Sequence, residues 1–282
     1  MKKILLAGAT GYLGSFILKE LESQKYKSRI VVRNKKKLAE YNPLKTEVIE
    51  AEVTKPETLI NICQGFDTII SSIGITKQKD GLTYMDVDYR ANLNLLNEAK
   101  KSGVKKFIYI SVLNGDKLKY LKICEAKEKF VNELKSSGIN YCIIRPNGFF
   151  SDMTEFYNMA KKGKIYLFGN GELKSNPIHG ADLAKLCVDN IVTDVKEVEA
   201  GGPETLTQNE IAETAFNALN KTPKITYIPN RLRKIVLKLI TTLTSSKFYG
   251  PIEFFMTVMA MDMTAPEYGN HTLKKYFESL NK

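Results

Sequence analysis

The order of apolar segments predicts an α/β protein, a doubly wound parallel sheet followed by a smaller, mostly helical C-terminal lobe. Three observations carry this. Short Ile- and Val-rich runs alternate with helically spaced runs through the first half of the chain; a glycine-rich turn joins the first strand to the first helix; and the alternation loosens after Arg145. Repeated strand–helix–strand units require right-handed crossovers, hence a parallel sheet covered on both faces.

In order, strands are expected at 3–7, 29–32, 47–51, 66–71, 106–111 and 140–144, and helices at 12–23, 56–63, 86–102 and 122–136. Two of the helices run into Ser-Gly (Ser102-Gly103, Ser137-Gly138), a left-handed stop. Beyond Arg145 the pattern gives a helix near 152–161, a short strand at 164–168, a helix at 181–192 returning to the sheet, and another after Thr207. The last fifty residues read as helical, with 231–242 basic and 251–263 nearly uncharged. The expected division is a sheet domain of residues 1–146 and about 176–200, and a substrate lobe of about 147–175 and 203–282, with ligands bound along the sheet's C-terminal edge.

Composition narrows the function. The 282 residues are 43% hydrophobic and 26% charged, enough apolar material for a packed core. Two histidines exclude a site built from three. The net charge of +11 comes mostly from scattered lysine, which reads as a solubilising surface rather than a nucleic-acid face, where arginine forks do the reading. The four cysteines sit singly in apolar stretches without a CxxC, as buried thiols of a reducing compartment do. The first residues begin like a signal peptide, but the apolar run at 4–9 is too short for one, and no stretch reaches 18 apolar residues. A cytoplasmic location is expected. The basic amphipathic stretch from Arg231 to Lys238 has the pattern of an interfacial helix, although a lobe helix with its lysines outward is the plainer reading.

The strongest local signal is Gly8-Ala9-Thr10-Gly11-Tyr12-Leu13-Gly14, between strand and helix. Gly8 permits the tight turn, Gly11 lets the backbone approach a diphosphate, and Gly14 lets the helix pack close to the sheet; the helix N-terminus then offers N–H groups and partial positive charge. The second strand ends Val32-Arg33-Asn34-Lys35-Lys36-Lys37, with no acid to accept from a ribose hydroxyl and several cations suited to a 2′-phosphate. NADP(H) is therefore the expected cofactor, with Arg33 the main contact.

These residues resemble the atypical short-chain dehydrogenase/reductases, a Rossmann-type family. Ser71-Ser72-Ile73-Gly74, Ser111 and Arg145-Pro146 fit the pattern, and the run Arg145-Pro146-Asn147-Gly148-Phe149-Phe150 with Pro177-Ile178, Asp182-Leu183-Ala184 and Gly201-Gly202-Pro203 is similar to the divinyl chlorophyllide 8-vinyl reductase and NmrA-like branch. The resemblance implies that Gly8, Thr10, Gly11, Tyr12, Leu13 and Gly14 hold the pyrophosphate and that Arg33 and Glu52 face the adenosine. It places Ser71, Ser72, Ile73 and Gly74 along the path to the nicotinamide, with Pro146 also on the cofactor side. Lys127 matches the family lysine, which binds the nicotinamide ribose and keeps positive charge near the reacting centre.

The family tyrosine belongs four residues before Lys127, and Ile123 stands there. Isoleucine donates no proton. Lys127, Ser111 or water would have to supply it, or Tyr120, seven residues before Lys127 and so close to two helical turns back on the same face. Phe149, Phe150, Met153 and Tyr157 are either core or the wall of an apolar substrate cleft; His179 reads as structural. The expected activity is NADP(H)-dependent reduction of a C=C or C=O of an apolar or aromatic small molecule. The alternative is a non-catalytic nucleotide-binding sensor, regulator or assembly factor.

Overall fold

The computed structural model describes residues 2–35, 46–78 and 80–281. Lys36 and Lys37 lie outside them. Along the chain run β1 (Lys3–Ala7), α1 (Tyr12–Ser23), β2 (Lys27–Val32), β3 (Thr46–Glu50), β4 (Thr68–Ser71), α2 (Asn92–Lys101), β5 (Lys106–Ile110), α3 (Lys122–Ser136) and β6 (Asn140–Pro146). Then come α4 (Phe150–Lys161), β7 (Ile165–Phe168), β8 (Lys174–Ser175), α5 (Gly180–Asp189), β9 (Glu197–Ala200), β10 (Leu206–Thr207), α6 (Gln208–Ala218), β11 (Ile225–Ile228), α7 (Asn230–Leu243), α8 (Ser246–Val258) and α9 (Leu273–Ser279).

Among the described residues, seven strands form one sheet in the order β3-β2-β1-β4-β5-β6-β9. The pairings from β3 to β6 are parallel, and β9 runs the same way, since Ile143 N–H donates to the Lys196 carbonyl and Asn147 N–H to that of Ala200. The order reverses at β1, the switch point of a doubly wound, Rossmann-like sheet. Central strands are covered on both faces: all four residues of β4 and all five of β5 are buried, which explains the apolar runs Ile69-Ile70 and Phe107–Ile110 at their centres. Leu5, Ile69, Phe107, Phe130 and Ile143 belong to the core on one side of this sheet.

The chain divides into two compact units, Met1–Arg145 with Leu183–Val198, and Pro146–Asp182 with Glu199–Lys282. The second contains more strand than the sequence predicts. Besides its helices it holds a parallel pair, β11 with β7, and an antiparallel pair, β10 with β8. Phe150, Met153 and Tyr157 are buried in its core with Phe216 and Phe277, so packing accounts for them and the cleft-wall alternative does not.

Three expectations in the first unit need correction. The helix expected at 56–63 is a single 3-10 turn at Pro56–Leu59, because Asn61 adopts φ 63° and turns follow. The helix at 86–102 begins instead as a π-helical segment, Met85–Ala91, and only then becomes α2. The third concerns α3: it starts at Lys122, so Tyr120 precedes it, is 65% exposed, and the two-turn path to Lys127 does not exist. The Ser-Gly stop after α2 forms as expected: Gly103 N–H donates to Lys100 and Val104 N–H to Ala99, the paired closure of a left-handed helix end.

Candidate functional site

The glycine turn and the loop after β4 adjoin at the C-terminal edge of the sheet. Gly8 has φ +92°, and a Cβ there would lie 2.6 Å from Ser72 Oγ. Ser72 is tied back by its N–H and its hydroxyl, which donate to the Ala7 carbonyl at 3.0 and 3.2 Å. Gly14 is required more severely, because its Cβ would fall 2.0 Å from the Gly8 carbonyl oxygen. The helix therefore starts against the strand it follows. Gly11 is the N-cap, contributes no side chain, and no acidic residue occupies the first turn of α1. The positive end of that helix dipole meets no carboxylate from its own first turn, so the turn fits a diphosphate.

Arg33 is exposed at the tip of β2 and close enough to Glu52 to help lower that carboxyl's pKa. The larger causes of the lowering are hydrogen bonds from Lys55 and Thr54, and Lys55 Nζ lies 2.6 Å from Glu52. Glu52 is thus already engaged within its own loop. Lys35 is exposed, and its backbone N–H donates to Glu50.

On the far side of the Ser71–Gly74 loop is a buried ion pair. Lys127, from α3, places Nζ 2.8 Å from Asp88 Oδ1, with Lys127 12% and Asp88 0% exposed. A Cβ on Gly74 would come within 2.7 Å of Asp88 Oδ1 and 2.8 Å of Lys127 Nζ, so the pair lies directly beneath this exposed glycine. The π-helical segment supplies the carboxylate. Asn92, one turn on, donates to the Asp88, Val87 and Ile73 carbonyls, while the Ser71 hydroxyl donates to Asn92 Oδ1 at 2.5 Å. Asp88 Oδ2 also accepts the Ile75 N–H. Loop, segment and lysine are fixed as one assembly.

Burial is the largest single influence on the Lys127 ammonium and pushes its pKa down, but the Asp88 charge, the Tyr109 phenol and the hydrogen bond to Asp88 together outweigh it and hold the group above its ordinary value. Burial likewise pushes the Asp88 carboxyl up. Tyr109, on β5, is fully buried with its ring centroid 5.7 Å from Lys127 Nζ. Lys127 is consequently a persistent cation and a poor proton donor. Ile123 is 5% exposed on the same helix and packs as core.

Ser111 belongs to a different cluster. Its hydroxyl donates to Glu128 Oε1 at 3.2 Å, and the Arg145 fork grips that carboxylate, Nη1 to Oε1 at 2.5 Å and Nη2 to Oε2 at 3.1 Å. Glu197 takes Arg145 Nε at 3.1 Å. The structure therefore brings Gly8, Ser72 and Gly74 together with Lys127 beneath them, and commits Ser111 to an ion-pair network. Pro146 ends β6. All four cysteines are buried and unpaired; burial pushes the Cys63 and Cys124 thiols up to about 12, so neither is a thiolate at neutral pH.

Asp88 is the site residue that the sequence reading missed. The signal was present: Asp88 and Asn92 continue the buried register of Leu95 and Ala99, two polar residues on an otherwise apolar face.

A family model described as NAD(P)H-binding matches residues 8–194, a span that takes in the glycine turn, the Ser71–Gly74 loop and Lys127. The chain belongs to the NAD(P)H-binding family. Among its relatives is the chloroplastic divinyl chlorophyllide a 8-vinyl-reductase of Arabidopsis thaliana, 28% identical and matched over 96% of this chain and 72% of that protein. A second is the photosystem II assembly factor Ycf39 of Cyanophora paradoxa, 31% identical over 55% of this chain and 48% of the relative. In fold, this NAD(P)H-binding chain is similar to the Escherichia coli NADPH-dependent quinone oxidoreductase QOR2 in its NADPH complex. The TM-score is 0.74, with 19% identity over 99% of this chain and all of the other.

Proposed function

We propose that the protein is an NADP(H)-dependent oxidoreductase that reduces a C=C or C=O bond of an apolar small molecule. The observation that carries this reading is the buried Lys127–Asp88 pair set beneath Gly74, one loop away from the diphosphate turn. A cation kept charged by a buried carboxylate serves a nicotinamide ribose and a transition state that gains negative charge. The bound dihydronicotinamide would supply the hydride.

The chain's own residues divide the remaining work. Gly8, Thr10, Gly11, Tyr12, Leu13 and Gly14 hold the diphosphate, and Arg33 holds the 2′-phosphate. Ser71 to Gly74 carry the path toward Lys127, which binds ribose hydroxyls. Because Ile123 is apolar, Lys127 is held protonated and Ser111 is engaged by Glu128, the proton that completes reduction comes from water. An activated alkene or quinone, whose reduced anion is stabilised by conjugation, suits such a site better than a simple ketone.

The same three facts favour a second reading, a nucleotide-binding assembly factor or sensor without turnover, the role named for the Ycf39 relative. NADPH oxidation measured with a panel of enones, quinones and aldehydes separates the two. Turnover on a conjugated acceptor, lost in Lys127→Met, supports the reductase. Tight NADPH binding without oxidation by any acceptor supports the factor.

A further inference from the structure

Helix α7 presents its apolar face outward. Leu232, Ile235, Leu239 and Leu243 are 50, 56, 54 and 77% exposed, and their three-four-four spacing places them in one stripe along the helix. No residue of α7 is buried. The helix packs against α8 through another side, where Arg233 Nη1 donates to the Met256 carbonyl at 3.0 Å and Leu237 and Ile240 are half-buried. The sequence alone favours the reverse arrangement, with the apolar stripe inward.

Arg231, Lys234 and Lys238 form a second exposed row, offset from the stripe by one residue and therefore about 100° around the helix. Between residues 230 and 258 there are five cations (Arg231, Arg233, Lys234, Lys238, Lys247) and one acid, Glu253. Beyond the α7 end, Phe248 and Phe255 of α8 are 60 and 39% exposed and share a face at seven-residue spacing. Single exposed apolar residues are ordinary; a four-residue leucine and isoleucine stripe beside a row of cations is not.

We infer that α7 and the exposed phenylalanines of α8 are a docking surface for a membrane bearing anionic lipid, with α7 lying in the plane of the interface. The chemistry fits on each count. The stripe enters the acyl boundary, the lysine and arginine stems reach up to phosphate headgroups, and the near-absence of acids removes repulsion from an anionic surface. At 14 residues α7 lies on the bilayer, and among the described residues no helix is long and apolar enough to cross one. A second copy docked by the same stripe would bring cationic rows together, so the charge favours lipid. Nothing in this inference depends on the reductase reading.

Flotation of the full chain tests it, with vesicles of phosphatidylcholine alone or with about 30% phosphatidylglycerol added as an anionic surface. The chain floats with the anionic vesicles at low salt and is released as salt shortens the screening length. Ile235→Asp with Leu239→Asp lowers partition at least tenfold, and Lys234→Glu with Lys238→Glu lowers it on anionic vesicles. Both double variants keep the parent's circular dichroism and melting temperature, since every altered side chain is exposed. The inference is overturned if the parent stays at the bottom of the gradient or if the aspartate variant floats as the parent does. It is equally overturned if light scattering shows a parent dimer that this variant splits while neither floats, because the stripe would then be a protein interface.

Discussion

Replacing Lys127 by Met removes a charge while keeping most of the side-chain volume, and its consequence follows from the burial of the partner. Asp88 has no exposure and would be left with the Ile75 N–H and no cation. Breaking a buried pair from one side costs about 3–5 kcal/mol, because the remaining charge is uncompensated. For a unit of this size each kcal/mol moves Tm by about 2–4 °C, so Lys127→Met melts on the order of 10 °C below the parent. Adding Asp88→Asn removes the stranded charge while the Ile75 contact persists, and most of that stability returns. Activity behaves differently: NADPH oxidation is lost in Lys127→Met and stays lost in the double variant, since neither carries the ammonium. The pH dependence has a definite sign. Burial raises the folded pKa of Asp88 above its unfolded value near about 3.9, so the folded state binds the additional proton. That contribution is complete below the unfolded value and declines as pH rises through the folded one. Lys127 opposes the upward shift of this pKa, so without it the folded pKa of Asp88 lies higher still than in the parent, and the deficit of Lys127→Met is smaller at pH 5 than at pH 8. Calorimetric melting at both pH values, paired with turnover of each variant, measures all of this. A Lys127→Met protein that melts with the parent, or a double variant that regains turnover, refutes the reasoning.

Three further changes have expected outcomes. Gly14→Ala forces a Cβ to 2.0 Å from the Gly8 carbonyl oxygen, so α1 must shift; stability falls by about 1–3 kcal/mol and NADPH affinity by at least tenfold, read by melting and titration. Arg33→Ala, at an exposed position, leaves Tm unchanged but removes a charge-assisted contact of about 1.5–3 kcal/mol, so the preference for NADPH over NADH drops tenfold or more. His179 stacks on His271 at 4.2 Å and accepts the Ala181 N–H on Nδ1; burial first, then the His271 charge, lowers its pKa. Its stabilising contribution is complete above the unfolded value near about 6.5 and is lost as pH falls from there through the folded value, so His179→Asn shows a smaller Tm drop between pH 7.5 and 5.5 than the parent.

The sheet and its first crossover were legible because local and global signals agree there. The bounds of α1 and α3 match the sequence reading residue for residue, each helix being delimited by a glycine turn or a Ser-Gly stop. The Lys127–Asp88 pair was not, since its members are 39 residues apart on different elements and only the π-helical turn brings the carboxylate inward. The two-residue strands β8 and β10 are too short to show alternation. The 3-10 turn at Pro56 has the composition of a helix, and Asn61 ends it. For α7 the amphipathic pattern is equally strong whether the apolar face turns inward or outward; only tertiary packing decides.

The claim on which the site rests is that the glycine turn and the tip of β2 seat a dinucleotide carrying an extra phosphate. Isothermal titration of the purified chain with NADPH and, separately, NADH tests it without any assumption about substrate. NADPH gives a saturable one-to-one heat, and NADH binds at least tenfold more weakly. No heat with either dinucleotide, or equal affinity for both, contradicts it.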